Sequence, residues 1–120
     1  MRFISSKSHG ILDYLTGIVL ILAPWIFGFA NGGSAQIVPI VVGAAIIGMS
    51  LFTDYEMSAV KSIPLNFHLG TDIVAGIFLA ISPWLFGFAD VIIWPHVLVG
   101  ILEIGAGLFT HKVPEYKYAH

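Results

Sequence analysis

Four nearly unbroken apolar stretches, at about residues 9–30, 37–53, 68–89 and 91–110, leave this chain few ways to fold. A helix needs about 20 mostly apolar residues to cross the hydrocarbon of a bilayer, and three of the stretches meet that length while the second falls slightly short. Charged residues make up only 10% of the 120 positions and hydrophobic ones 58%. A soluble domain carries about 25% charged residues, so that class is excluded. Five Lys and Arg against seven Asp and Glu give a net charge of −2. That balance provides no basic footprint for nucleic acid. The absence of cysteine removes disulfides, thiolate metal sites, iron–sulfur clusters, covalent haem and thiol nucleophiles.

The chain repeats itself. A shift of 59 positions lays residues 9–30 on 68–89, matching His9 with His68, Asp13 with Asp72, Gly17 with Gly76, Pro24 with Pro83 and Trp25 with Trp84. Phe27-Gly28-Phe29-Ala30 recurs as Phe86-Gly87-Phe88-Ala89. After a two-residue loss in the second turn, Gly43, Gly48 and Leu51-Phe52-Thr53 match Gly100, Gly105 and Leu108-Phe109-Thr110. The expected organisation is a single membrane domain over 1–120 containing two helical hairpins, 9–53 and 68–110. Two spans per copy is an even number, so both copies enter the membrane from the same side. The fold class is therefore all-α: an integral membrane four-helix bundle of two parallel-repeat hairpins. Asn66 is expected to cap the third helix.

All the basic residues, Arg2, Lys7, Lys61, Lys112 and Lys117, lie in the N-terminal segment, the connector between copies or the C-terminal tail. The positive-inside rule places those three regions in the cytoplasm. Trp25, Trp84 and Trp94 lie at the opposite ends, where indole rings favour the headgroup boundary. The internal copy of the first span argues against a cleaved leader there.

Ala23-Pro24-Trp25-Ile26-Phe27-Gly28-Phe29 and Ser82-Pro83-Trp84-Leu85-Phe86-Gly87-Phe88 resemble the signature of the SPW-repeat family of small prokaryotic integral membrane proteins. The resemblance covers nearly the whole chain, although Ala23 stands where the motif has serine. It implies a fold and a location in the prokaryotic plasma membrane, and it transfers no catalytic residue.

His9, Asp13, Gly17, Leu20, Pro24 and Phe27 are spaced three or four apart and so share one helix face, as do their counterparts in the second copy. Identity at all six positions points this stripe at the bundle interior. Gly17, Gly43, Gly48, Gly76, Gly100 and Gly105 are expected to let helices approach closely. Pro24, Trp25, Gly28, Pro83, Trp84 and Gly87 read as structural motif residues. Each proline frees the carbonyl four residues earlier, of Leu20 or Leu79, and an indole N–H or a hydroxyl such as that of Ser82 can take it.

The candidate ion, proton or metal residues are His9, Asp13, His68, Asp72 and Glu103. Each His is one helical turn from its Asp, and two copies meeting about a twofold would bring two imidazoles and two carboxylates together. The alternative is local: each Asp bonded in the first turns of its helix, with its His among the headgroups. Glu103 lies deep in the fourth span where the first copy has Ile46, and burying such an acid costs about 2.5 kcal/mol or more, so a partner such as His9, His68 or water is expected. His96, His111 and His120 read as solvated interfacial residues, and Lys112 and Lys117 as contacts for anionic lipid.

No hydrolase triad, phosphate loop, zinc-protease or dinucleotide motif occurs, so no enzymatic activity and no resident cofactor is expected. The leading expectation is a structural or accessory membrane component that self-associates as a homo-oligomer, with the bilayer and other membrane proteins as partners. Two alternatives stand beside it: a small proton or cation channel or carrier built on the five acidic and imidazole groups, and a metal or non-covalent haem site on the paired histidines.

Overall fold

A computed structural model describes residues 2–117, which form helix α1 (Ser6–Ile26), α2 (Ser34–Phe52), α3 (Leu65–Leu85) and α4 (Trp94–Phe109), followed by a single 3-10 turn at Glu115–Lys117. His120 lies outside the described residues. Helices α1 and α2 pack as one hairpin and α3 and α4 as another. Three helices are long and apolar enough to cross a membrane. The short element is α4 rather than the second stretch: α2 has 19 residues, whereas α4 has 16 and at 1.5 Å per residue spans roughly 24 Å, because its helix begins only at Trp94.

The repeated Pro-Trp-x-Phe-Gly-Phe segment stops a helix. Gly28 and Gly87 take φ of +76° and +74°, a left-handed conformation that costs glycine nothing, and this ends α1 and α3 before the apolar sequence itself runs out. The N–H of Phe29 then bonds back to the Pro24 carbonyl at 2.8 Å, and that of Phe88 to Pro83 at 2.7 Å. This is the six-to-one closure of a Schellman motif. Phe29 and Phe88 are buried together with Ala23 and Ala35, whereas Trp25 and Trp84 face outward. Phe27 and Phe86, expected to line the interior stripe, are instead about half exposed, because the turn has already left helical geometry where they sit. Of the two freed carbonyls, Leu79 O accepts from the Ser82 hydroxyl at 2.6 Å.

Within each hairpin the helices touch at glycine. A Cβ on Gly43 would stand 2.7 Å from the Gly17 carbonyl, and a Cβ on Gly76 2.6 Å from that of Gly100, so only glycine admits this approach. Gly48 and Gly105 differ from the expectation. Nothing lies within 4 Å of a Cβ at either, since both turn away from the facing helix. Leu20 and Leu79, the two copies of one position, are buried with Val38, Val42 and Ile46 where the hairpins meet.

Two short straps close the end that carries the basic residues. Ile4 bridges to Thr110 and Ile63 to Thr53. The N–H groups of Phe3 and Ile4 both reach the Phe109 carbonyl, and those of Ser62 and Ile63 reach that of Phe52, so the last turns of α4 and α2 are capped in the same way. Arg2 adds bonds from Nη1 to the carbonyls of Gly107 and Thr110. Because the Ile63 strap feeds straight into Pro64, α3 begins there, Asn66 falls within its exposed first turn, and no side chain caps the helix.

Candidate functional site

Helices α1 and α3 each bring one histidine and one aspartate to the strapped end, and the four side chains meet at the joint between the hairpins. His9 and His68 are fully buried, with Asp13 1% and Asp72 3% exposed. The alternative with each His among the headgroups is thereby overturned: the two rings stand 5.6 Å apart, edge to face, inside the protein. His9 Nε2 lies 2.7 Å from Asp72 Oδ2 and 3.1 Å from Asp13 Oδ1. His68 Nε2 lies 3.0 Å from Asp13 Oδ2 and 3.1 Å from Asp72 Oδ2. Each imidazole therefore spans one carboxylate of its own helix and one of the other copy.

Two threonines set the orientation of the rings. Thr110 Oγ1 donates to the Ala106 carbonyl and Thr53 Oγ1 to that of Met49, both at 2.6 Å, which uses the single hydroxyl proton of each. Thr110 must then accept from His9 Nδ1–H at 2.7 Å, and Thr53 from His68 Nδ1–H at 2.5 Å. Both Nε2 atoms face the carboxylates as a result. The crossing is reciprocal, since each histidine rests on the threonine that ends the other hairpin. These threonines close the repeated Leu-Phe-Thr triplets, a match visible in the sequence whose role only the fold reveals.

The two carboxylates are treated unequally. Asp13 Oδ2 accepts from the Tyr55 hydroxyl at 3.0 Å and lies 3.2 Å from Ser50 Oγ, whose single proton is shared with the closer Ile46 carbonyl at 2.8 Å. Tyr55 lies in the connector, completely buried; burial first and the neighbouring Asp13 second push its phenol above the ordinary range, which keeps it a donor. Asp72 has no such hydroxyls, because the positions equivalent to Ser50 and Tyr55 are Gly107 and Lys112. The connector and tail cover the centre. Ser6 Oγ donates to Glu56 at 2.6 Å and accepts from the Glu115 N–H at 2.7 Å, while Tyr14 donates to the Met57 carbonyl.

Residues 7–110 match the family model for the SPW repeat domain. The chain belongs to the SPW-repeat family. No curated protein and no solved structure matches it. In this SPW-repeat chain the glycine that follows each Pro-Trp pair thus terminates a helix at one end, while the histidines and aspartates gather at the other.

The remaining candidates lie elsewhere. Glu103 is 3% exposed and lines a groove of about 380 Å³ with Leu12, Thr16, Ile101, Leu102 and Gly105. The expected partner is missing: among the described residues nothing bonds Glu103 Oε2. His96 is not solvated, contrary to expectation. It is buried, placed by Pro95 at the start of α4, with Nε2 donating to the Ala35 carbonyl at 2.9 Å and its ring against Phe29 and Phe88. Lys117, expected to meet lipid, is about half exposed. It pairs with Asp54 at 2.7 Å, and this bond, followed by that from Tyr116, holds the Asp54 carboxyl below its ordinary value.

Proposed function

We propose that this protein is a non-catalytic, self-associating component of the prokaryotic plasma membrane, whose buried His/Asp centre joins its two hairpins. The observation that carries this reading is enclosure. No side chain of the centre is more than 4% exposed, and connector and tail lie across it, so a molecular substrate has no approach. Breaking one member of such a set leaves an uncompensated charge in an apolar interior, which costs about 3–5 kcal/mol and fits a joint better than a reaction site.

The outward surface suits assembly. Gly48 and Ala44 lie one turn apart on α2, with Ala44 exposed and open space above Gly48, so a helix of a second copy can approach closely there. Every Lys and Arg lies at the strapped end or in its covering segments, which supports cytoplasmic placement of both termini.

The chain has no cysteine, so Gly48→Cys introduces a single thiol. Mild oxidation in native membranes should convert that variant into a disulfide-linked dimer, and liposomes carrying the wild type should pass no more protons or monovalent cations than empty ones. A flux that disappears in Glu103→Gln would replace this reading with that of a conducting protein, and failure to form the dimer would remove the self-association face.

A further inference from the structure

We propose that the centre formed by His9, Asp13, His68 and Asp72 is a closed four-ligand site for a divalent transition metal of the zinc class, with Thr53 and Thr110 holding the two imidazole rings in place. This deepens the reading of the centre as a joint and rests on it.

Three observations converge. The first is the donor set: two imidazole nitrogens and two carboxylates, each offering one ligand atom, with these atoms all within 4.8 Å of one another. Imidazole and carboxylate together suit zinc and its neighbours, and the absence of thiolate disfavours soft monovalent copper. The second is the tautomer. Both threonines accept from Nδ1–H, so in the neutral ring each Nε2 carries a lone pair aimed inward. An Nδ1–H held by an oxygen acceptor is the usual outer-shell support of a metal-bound histidine. The third is an orphan. His68 Nε2 is 3.0 and 3.1 Å from an oxygen of each carboxylate, yet it is buried and makes no hydrogen bond among the described residues. An ion shared by the two carboxylates would give that nitrogen a partner.

The charges balance. Without an ion, each imidazole must hold a second proton on Nε2 to face the carboxylates, giving two positive and two negative groups. A divalent ion replaces those two protons and leaves the centre neutral again. Ligand–metal distances of about 2.0–2.2 Å in a tetrahedron imply ligand–ligand separations of about 3.4 Å. The closest approach of nitrogen to oxygen here is 2.7 Å and the ligand atoms lie within 4.8 Å of one another, so on binding the closest pair must open by about 0.7 Å while wider pairs draw in. All four positions come from the protein, the arrangement of a structural ion with no vacancy for a substrate.

The test uses the untagged full-length chain in detergent, exposed to zinc chloride, passed through a desalting column and assayed by inductively coupled plasma mass spectrometry. One zinc per chain is expected, with about two protons released per ion in unbuffered titration, and cobalt(II) should give the strong visible absorption of tetrahedral coordination. Thr53→Val keeps the shape of the side chain but removes the acceptor, and it should weaken zinc binding about 10–100-fold. His9→Gln with His68→Gln should abolish binding. If that double variant does not fold, Thr53→Val with Thr110→Val carries the test. Substoichiometric zinc in the wild type, equal zinc in the variants, or octahedral cobalt spectra would each overturn the metal site. None of these outcomes bears on dimer formation or ion flux, so the wider reading stands or falls separately.

Discussion

At the scale of single residues, the two copies differ most tellingly where one side chain was exchanged for another of opposite character. Ile46 is buried among Leu20, Val42 and Leu79, whereas its counterpart Glu103 holds a buried carboxyl oxygen with no hydrogen-bond partner among the described residues. An acid in that setting opposes insertion and folding by about 2.5 kcal/mol or more. Glu103→Ile should therefore stabilise the protein by about 2 kcal/mol, read as a higher midpoint of unfolding by sodium dodecyl sulfate in mixed micelles. A lower midpoint would mean that the carboxyl is held by a favourable interaction and that its burial is no defect. Residue chemistry also separates Thr53 and Thr110 from the other hydroxyls. Their protons go to helix carbonyls, which determines the tautomer of both histidines before any ion is considered.

At the scale of helices, glycines of one apparent type divide into two kinds. Gly17, Gly43, Gly76 and Gly100 bring backbone against backbone, while Gly48 and Gly105 face open space. Gly76→Ala places a methyl carbon 2.6 Å from the Gly100 carbonyl and should destabilise the second hairpin by about 1–3 kcal/mol. Gly105→Ala meets nothing and should stabilise α4 by up to about 1 kcal/mol through helix propensity. Thermal unfolding of the two variants in one detergent checks both directions; equal effects would refute the distinction. Helix ends follow the same logic. The apolar pattern extends α1 and α3 through Ala30 and Ala89, but the left-handed Gly28 and Gly87 end the helices at Ile26 and Leu85, with the last i→i−4 bonds made by the N–H groups of Phe27 and Phe86.

At the scale of the whole molecule, the two ends are chemically opposed. One bears the straps, every Lys and Arg and the His/Asp centre; the other bears the tryptophans and the Schellman turns. That polarity predicts cytoplasmic termini. A fluorescent protein that folds only in the cytoplasm should light up when fused to the C-terminal tail, and a phosphatase active only outside should work when inserted after Gly32. The reverse pattern would invert the orientation.

Much of this was legible in the sequence because it depends on local pattern. Apolar length dictates helices, the 59-residue shift identifies paired positions, and four-residue spacing puts His9 beside Asp13 and His68 beside Asp72. The meeting of the two pairs could be anticipated from their identity, but their enclosure could not, since it requires the connector and tail to fold back over them. His96 shows the same limit: its sequence setting suggests an interface, and only the packing of Phe29 and Phe88 around it makes it a buried donor to Ala35. Periodicity assigns a side chain to a helix face; what lies opposite that face is decided by long-range packing. The apolar helices, their pairing and the chemistry of the candidates were readable from the residues alone, because these follow from covalent spacing and transfer energies. That each histidine rests on the threonine of the other hairpin, and that Glu103 Oε2 is left without a hydrogen bond among the described residues, follows from packing between residues far apart in the chain.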